Sequence, residues 1–436
     1  SEREAAFSPH AILASALGFQ IKGLEGAAVV DRIGELIREG HLIPGKSERA
    51  DGHFDLVTTP EALAREQQIL ERLAGGAGQG RAFMAPDLAM ARLQEAARDL
   101  GIERAGTDSW QLNEGQLAAG VAILSGTDRF LNIQGVAGAG KSTLLGALDK
   151  VLGAEGVKLI GLAFQNKMVA DLRGGGSRTM SVEQMQEAGI EAWTIASFIN
   201  QHSSAAAQGS GERFEASKAA LRDTVIITDE SSMVSSRDML RLTAIAGQLD
   251  VAKAPFMGDR QQLSAIEQGK MFAVSQAAGQ ATVRMDENIR QRNSPLLLAV
   301  AGLSNEGHAS LALDLLAAHG RVIEAGENHV ARAAELWLSL SPDKREATAI
   351  FTAGRDDRTQ INSLVQAGLL KEGTLRGDGI LLSTLQSANV SREELRFAST
   401  YRRGQVLEAR MDVREIGLAR GEYAVVDIRK DGKVTL

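Results

Sequence analysis

The 436-residue sequence contains no cysteine. Disulfides, cysteine-type zinc clusters and thiol nucleophiles are thereby excluded, and the chain is indifferent to the redox state of its compartment. No apolar run reaches the roughly 18 residues that cross a bilayer. The opening SEREAAFSPH lacks the basic-then-apolar layout of a signal peptide. A cytoplasmic protein without membrane insertion is therefore expected. The seven histidines never fall within a few residues of each other, the spacing that a metal site on one helix or hairpin requires. An excess of positive charge is also missing. A net charge of −7 argues against coating duplex DNA through a broad basic face and leaves room for a narrow basic channel. The first residue is Ser1, not Met, which reads as a fragment.

What is present is the composition of a globular protein, 44% hydrophobic and 24% charged, long enough for two to four domains. Residues 1–110 have helical periodicity and read as a helical leader domain. In VTTPEALAREQQILERLAGG, Thr59 is placed to cap a helix, with Pro60 at its first position and Gly75 past its end. From 111 to 280 short apolar strands alternate with helices: RFLNIQG, VKLIGLAF, DTVIITDE and APFMGD each end in small or polar residues. That alternation predicts a parallel sheet with crossover helices. The stretch 203–220 reads as a surface loop leading into a helix. A second α/β lobe is expected over 281–385, opening at ATVRMDENIR and continuing through GRVIEAG and ATAIFTAG. Residues 386–436 read as the start of a β-rich module, with a hairpin across Asp431 and Gly432.

The chemistry concentrates in the first lobe. GVAGAGKST, 135–143, matches the P-loop pattern through Gly135, Gly140, Lys141 and Ser142, between an apolar strand and a helix. Backbone N–H groups of such a loop, Gly138 and Thr143 included, wrap phosphate; Lys141 reaches the β- and γ-phosphates of ATP, and the Ser142 hydroxyl ligates Mg2+. TVIITDESSM ends an apolar strand on Asp229 and Glu230. Asp229 would hold the magnesium, and Glu230 would polarise an attacking water. A third strand end carries Asp259 and, three residues on, Gln262, suited to sensing the γ-phosphate. The DE pair points to hydrolysis coupled to motion.

In this order the motifs resemble the RecD-like branch of superfamily 1 helicases, and more closely the helicase region of MobF-type, TraI-like conjugative relaxases. The resemblance covers nearly the whole chain. It implies tandem RecA-like P-loop lobes, with Gln116 of LNEGQ as the adenine contact. It also implies that Arg290 of ENIRQRN reaches the γ-phosphate across the lobe interface, with Gln291 beside it. Relatives have Ala-Pro-Thr where this chain has Ala163, Phe164 and Gln165. Phe164 and Gln165 stand at a DNA-contact position, Phe164 reading equally as a base-stacking platform or a core side chain. Thr194 stands at another backbone contact. The implied activity is that of an ATP-dependent DNA helicase moving 5′ to 3′ on single-stranded DNA and unwinding plasmid DNA during conjugation. Implied partners are single-stranded DNA, a type IV secretion coupling protein and other relaxosome proteins, with translocation into a recipient cell as a further implication. Relaxase chemistry needs a histidine cluster and a nucleophilic tyrosine. The only tyrosines, Tyr401 and Tyr423, are late in the chain, so that domain is not expected here. Motifs V and VI, with a second arginine, are not found before residue 436, so an impaired motor is expected. The alternative is a non-catalytic module that binds single-stranded DNA and presents a secretion signal.

Overall fold

A computed structural model describes residues 6–19, 23–46, 55–164, 191–261 and 269–377, with shorter stretches between 385 and 435. Two units divide at His319 and Gly320.

The first unit opens with a small module. Strands β1 (Ala6–Phe7), β2 (Ile43–Gly45) and β3 (Leu56–Thr58) pair antiparallel in the order β1-β3-β2. Helices Pro9–Gly18 and Gly26–Arg38 accompany them. Phe7, Val29, Ile33, Leu42 and Val57 form a core of their own. The residues from 60 onward behave differently. Thr59 accepts the Ala62 N–H at 3.2 Å and starts helix Pro60–Gly75, which stops at Gly76. Ile69 and Leu73 of that helix are buried among side chains of the central lobe, as are Leu93 and Leu100 of helix Pro86–Ala105. The leader expected over 1–110 thus has two parts: a strand-bearing module to residue 58, and helices that belong to the lobe.

That lobe is built on six strands: β4 (Asn132–Gly135), β5 (Lys158–Ala163), β6 (Glu191–Thr194), β7 (Thr224–Thr228), β8 (Phe256–Gly258) and β9 (Thr282–Met285). They run in the order β6-β5-β7-β8-β4-β9, and every pairing is parallel. Side chains alternate between the two faces. Ile133, Val225 and Met257 enter one core beneath helices Pro86–Ala105, Glu114–Ser125 and Lys141–Ala154. Phe130, Ile226 and Phe256 enter the other, beneath helices Pro60–Gly75, Ile195–Gln208 and Ser236–Gln248. Arg129 ties this shell together from a buried position, donating to Gln79 O at 2.9 Å and to Asp250 Oδ1 at 2.8 Å. Its other nitrogen bonds the Ala246 and Gly247 carbonyls at the end of helix Ser236–Gln248, where a cation is favoured. This α/β/α arrangement is the RecA-like P-loop fold.

Two expectations change here. Residues 203–208 are the end of helix Ile195–Gln208, not loop, because Ala205 and Ala206 are buried; helix Glu212–Leu221 follows. More consequentially, the strand expected to open a second lobe at 281 is β9 of the first sheet, paired with β4 from Asn132↔Thr282 to Gly135↔Met285.

The second unit, 320–436, contains helices His329–Leu338, Pro342–Glu346 and Arg355–Lys371. Arg345 stacks 5.5 Å over the Trp337 ring and pairs with Glu372. The strands expected in GRVIEAG and ATAIFTAG do not occur among the described residues, since neither segment has a neighbouring strand to satisfy its backbone. Late in the chain β10 (Val406–Ala409) pairs β11 (Gly421–Ala424), and β12 (Asp427–Ile428) pairs β13 (Val434–Thr435), both antiparallel. The expected turn at Asp431 and Gly432 lies outside the described residues.

Candidate functional site

Because all six strands are parallel, their C-terminal ends share one edge of the sheet. That edge is where α/β folds hold ligands. It carries the strand ends at Gly135, Ala163, Thr194, Thr228, Gly258 and Met285.

The P-loop follows β4. Gly138 and Gly140 have φ of +82° and +77°, values that glycine adopts without the clash a Cβ brings. Gly140 is the residue from which helix Lys141–Ala154 starts, so the free N–H groups of the first helical turn face the loop. Lys141 Nζ folds back to donate to the Gly135 carbonyl at 3.2 Å. Ser142 is exposed and Thr143 half-buried on the first turn.

Gln116 is 1% exposed, and its amide is engaged in the frame of the site. Its Oε1 accepts the Asn113 N–H at 2.9 Å, while Asn113 Oδ1 accepts the Gln116 N–H, a reciprocal cap for helix Glu114–Ser125. Its Nε2 donates to Gly140 O at 2.9 Å. The residue expected to read a base therefore also fixes the end of the P-loop.

Asp229 and Glu230 follow β7. The Asp229 N–H donates to Leu162 O at 2.8 Å, and Asp229 Oδ1 accepts the Glu230 N–H at 2.9 Å. Burial pushes the Asp229 carboxyl above the ordinary aspartate range and Glu230 pushes it further; the Lys141 ammonium and the Glu230 N–H pull the other way. Glu230 lies at φ +48°, ψ +45°, left-handed backbone that costs a non-glycine residue about 1–3 kcal/mol and gathers at functional sites. Buried Ser231 holds the turn, donating to Thr228 O at 2.7 Å.

Arg290 differs from expectation. The ENIRQRN segment leaves β9, in the same sheet as the P-loop strand, and falls directly on the P-loop tip. The N–H groups of Ile289 and Arg290 donate to Gly138 O at 2.9 and 3.2 Å. Arg290 therefore stands on the P-loop's own lobe, with its side chain exposed, and does not reach in from a second one. Gln291 Oε1 is buried there with no hydrogen-bond partner among the described residues.

Phe164 is half-buried just beyond Ala163, and Ala163 pairs with Thr194 across β5 and β6. Thr194 caps helix Ile195–Gln208 by accepting the Ser197 N–H at 3.1 Å. Both stand on the same edge as the P-loop, several strands away. Gln165 and Gln262 lie outside the described residues.

A match to an AAA domain family covers residues 111–327. The matched stretch contains the P-loop, the Asp229 and Glu230 turn, and the whole central sheet. The similarity of the wider chain is to conjugation proteins. The Multifunctional conjugation protein TraI of Escherichia coli (strain K12) is 26% identical over 442 residues, covering 92% of this chain and 23% of its own length. The Probable conjugal transfer protein TraA of Sinorhizobium fredii is 27% identical over 290 residues, 65% of this chain, and the Conjugal transfer protein TraA of Agrobacterium fabrum 28% over 284, 63% of it. The chain spans less than a quarter of the length of these relatives, as the 23% and 22% coverage of the TraA proteins repeats. They support the TraI-like relaxase helicase resemblance.

The lobe also holds polar residues that the motif order passes over. Asn132 and Gln134 face the same side of β4 and are 1% and 4% exposed. Asn132 Nδ2 donates to Ser275 Oγ at 3.0 Å, and Gln134 to Asp259 at 2.8 Å. Two polar side chains inside an otherwise apolar strand were the signal.

Proposed function

We propose that the chain is the helicase motor of a conjugative relaxase, using ATP hydrolysis to move 5′ to 3′ on single-stranded DNA. The observation that carries this reading is the shared sheet edge. Lys141 and the first turn of its helix, Asp229 with Glu230, and Phe164 with Thr194 all stand on it, so phosphate chemistry and a strand-binding path meet one rigid support. Lys141 binds phosphate and Glu230 orients water. Phe164 offers a stacking face and the β6 end a backbone contact.

The residues present fit Mg2+. Asp229 is a half-buried carboxylate whose charge is disfavoured by desolvation and by a second carboxylate, a cost that a divalent cation removes. Ser142 is exposed at the helix start. Among the described residues there is no group of three or more histidines and carboxylates that could hold a metal ion. Bound with ATP, the ion would neutralise charge on the transferring phosphoryl group.

The test is ATP hydrolysis with and without single-stranded DNA, in the parent and in Lys141→Ala. Hydrolysis stimulated by DNA and lost in the variant, with DNA binding retained, is the expected result. Turnover in Lys141→Ala within a few-fold of the parent would remove the P-loop from the mechanism. DNA binding without hydrolysis in the parent would leave the binding-module reading.

A further inference from the structure

Gln134 is the residue immediately before the P-loop, and its side chain points away from it. Nε2 donates to Asp259 Oδ1 at 2.8 Å, at the end of the neighbouring strand β8. Oε1 accepts two bonds, from the Arg260 N–H and from Gln276 Nε2, each 3.2 Å. Asp259, 1% exposed, also accepts the Gln261 N–H at 3.0 Å. One buried amide therefore fixes the carboxylate of Asp259, the backbone just past it, and a side chain of helix Met271–Ala277. The amide of Gln134 donates from one end and accepts at the other, which lets one side chain hold all three groups.

The other end of this connection is the phosphate site. The peptide that follows Gln134 carries the Gly135 carbonyl, to which Lys141 Nζ donates. A phosphate oxygen is a charged acceptor and stronger than a carbonyl, so phosphate draws Lys141 off Gly135 and changes the load on that peptide. Closely packed interiors transmit such shifts without absorbing them.

We propose that Gln134 is a positioning residue that carries the nucleotide state of the P-loop to the Asp259 turn. The proposal rests on the nucleotide-binding reading above. It makes the Asp259 turn the first place outside the P-loop to register the γ-phosphate. A leucine at 134 would fill the space yet remove the Gln134 bond from Asp259 and from the Arg260 N–H. A glutamate would set two carboxylates against each other, and an asparagine at 259 would relieve them.

Hydrogen exchange over residues 256–261 tests this, with ATPγS and with ADP at saturation. In the parent, ATPγS should slow the Arg260 and Gln261 amides about tenfold relative to ADP, and in Gln134→Leu the difference should fall below about twofold at equal nucleotide occupancy. A merely structural role would raise exchange equally in both nucleotide states. Gln134→Glu should also lose the difference, and adding Asp259→Asn to it should restore it. A chain that binds nucleotide and shows no ATPγS-dependent change at 256–261, or a Gln134→Leu variant that keeps the parent's difference, overturns the proposal alone. A chain that binds no nucleotide overturns the P-loop reading and this proposal with it.

Discussion

Glu230 and Asp229 are adjacent, yet the structure loads them differently. Glu230 carries backbone strain, and substitution can separate that strain from its chemistry. Glu230→Gln should bind nucleotide and turn over at least about a hundredfold more slowly, the loss expected when a general base is removed. Glu230→Gly should be as inactive but more stable, by about 1 kcal/mol, because glycine accepts the left-handed conformation. Turnover assays and denaturant melts separate the two; a glycine variant no more stable than the glutamine variant would show that the conformation costs nothing. Asp229 is loaded electrostatically. Its pKa is raised from 3.8, so the folded protein holds this proton more tightly than the unfolded chain. Stability from this group is greatest below the ordinary aspartate range and falls as pH rises through the raised value, leaving the full cost in place at neutral pH. Asp229→Asn keeps an acceptor for the Glu230 N–H and should raise the melting temperature of the nucleotide-free protein near about pH 7, with the gain shrinking toward about pH 4. A gain constant across that range would place its origin elsewhere than the carboxylate.

At the scale of elements, the P-loop is held as tightly by its neighbours as by its own sequence. A Cβ added at Gly138 would lie 2.7 Å from Asn288 Oδ1 and 2.8 Å from Arg290 Cβ, on a backbone that already needs positive φ. Gly138→Ala should therefore displace the Asn288–Gln291 segment and weaken nucleotide binding at least about tenfold, as calorimetric titration would measure. Binding at parental affinity would mean that segment is not part of the site. The P-loop, the DE turn and four of the six central strands were legible in the sequence because each couples an apolar run to a fixed polar ending. What was not legible was partnership. TVRM has the same β-rich texture whether it opens a second sheet or closes the first; the Asn132↔Thr282 pairing decides, and no local pattern contains it. Nor does periodicity show that Gln116 spends its amide on Gly140, because that bond joins residues 24 apart.

For the molecule as a whole, the natural cut falls near residue 58. The module before it has its own core, whereas Ile69, Leu73, Leu93 and Leu100 are at most 3% exposed within the lobe. A chain starting at residue 59 should fold and bind nucleotide with a melting temperature close to the parent's. One starting at residue 111 should aggregate, because it strips a helix from each face of the sheet. Light scattering and melting curves distinguish these outcomes, and a monomeric, cooperatively folded 111-start chain would contradict the assignment of those helices to the lobe.

The same sheet order sets a timetable for synthesis. Helix Pro60–Gly75 leaves the ribosome before the strands it covers, but the core it enters also contains Met271 and Phe272, and β4 gains its outer neighbour only when Met285 has been made. At about 5–20 residues per second, Ile69 precedes that point by about 10–40 s. Throughout that interval apolar faces that are buried in the finished lobe have no partner, and a nascent chain in this condition is a natural client for chaperones that bind at the exit tunnel.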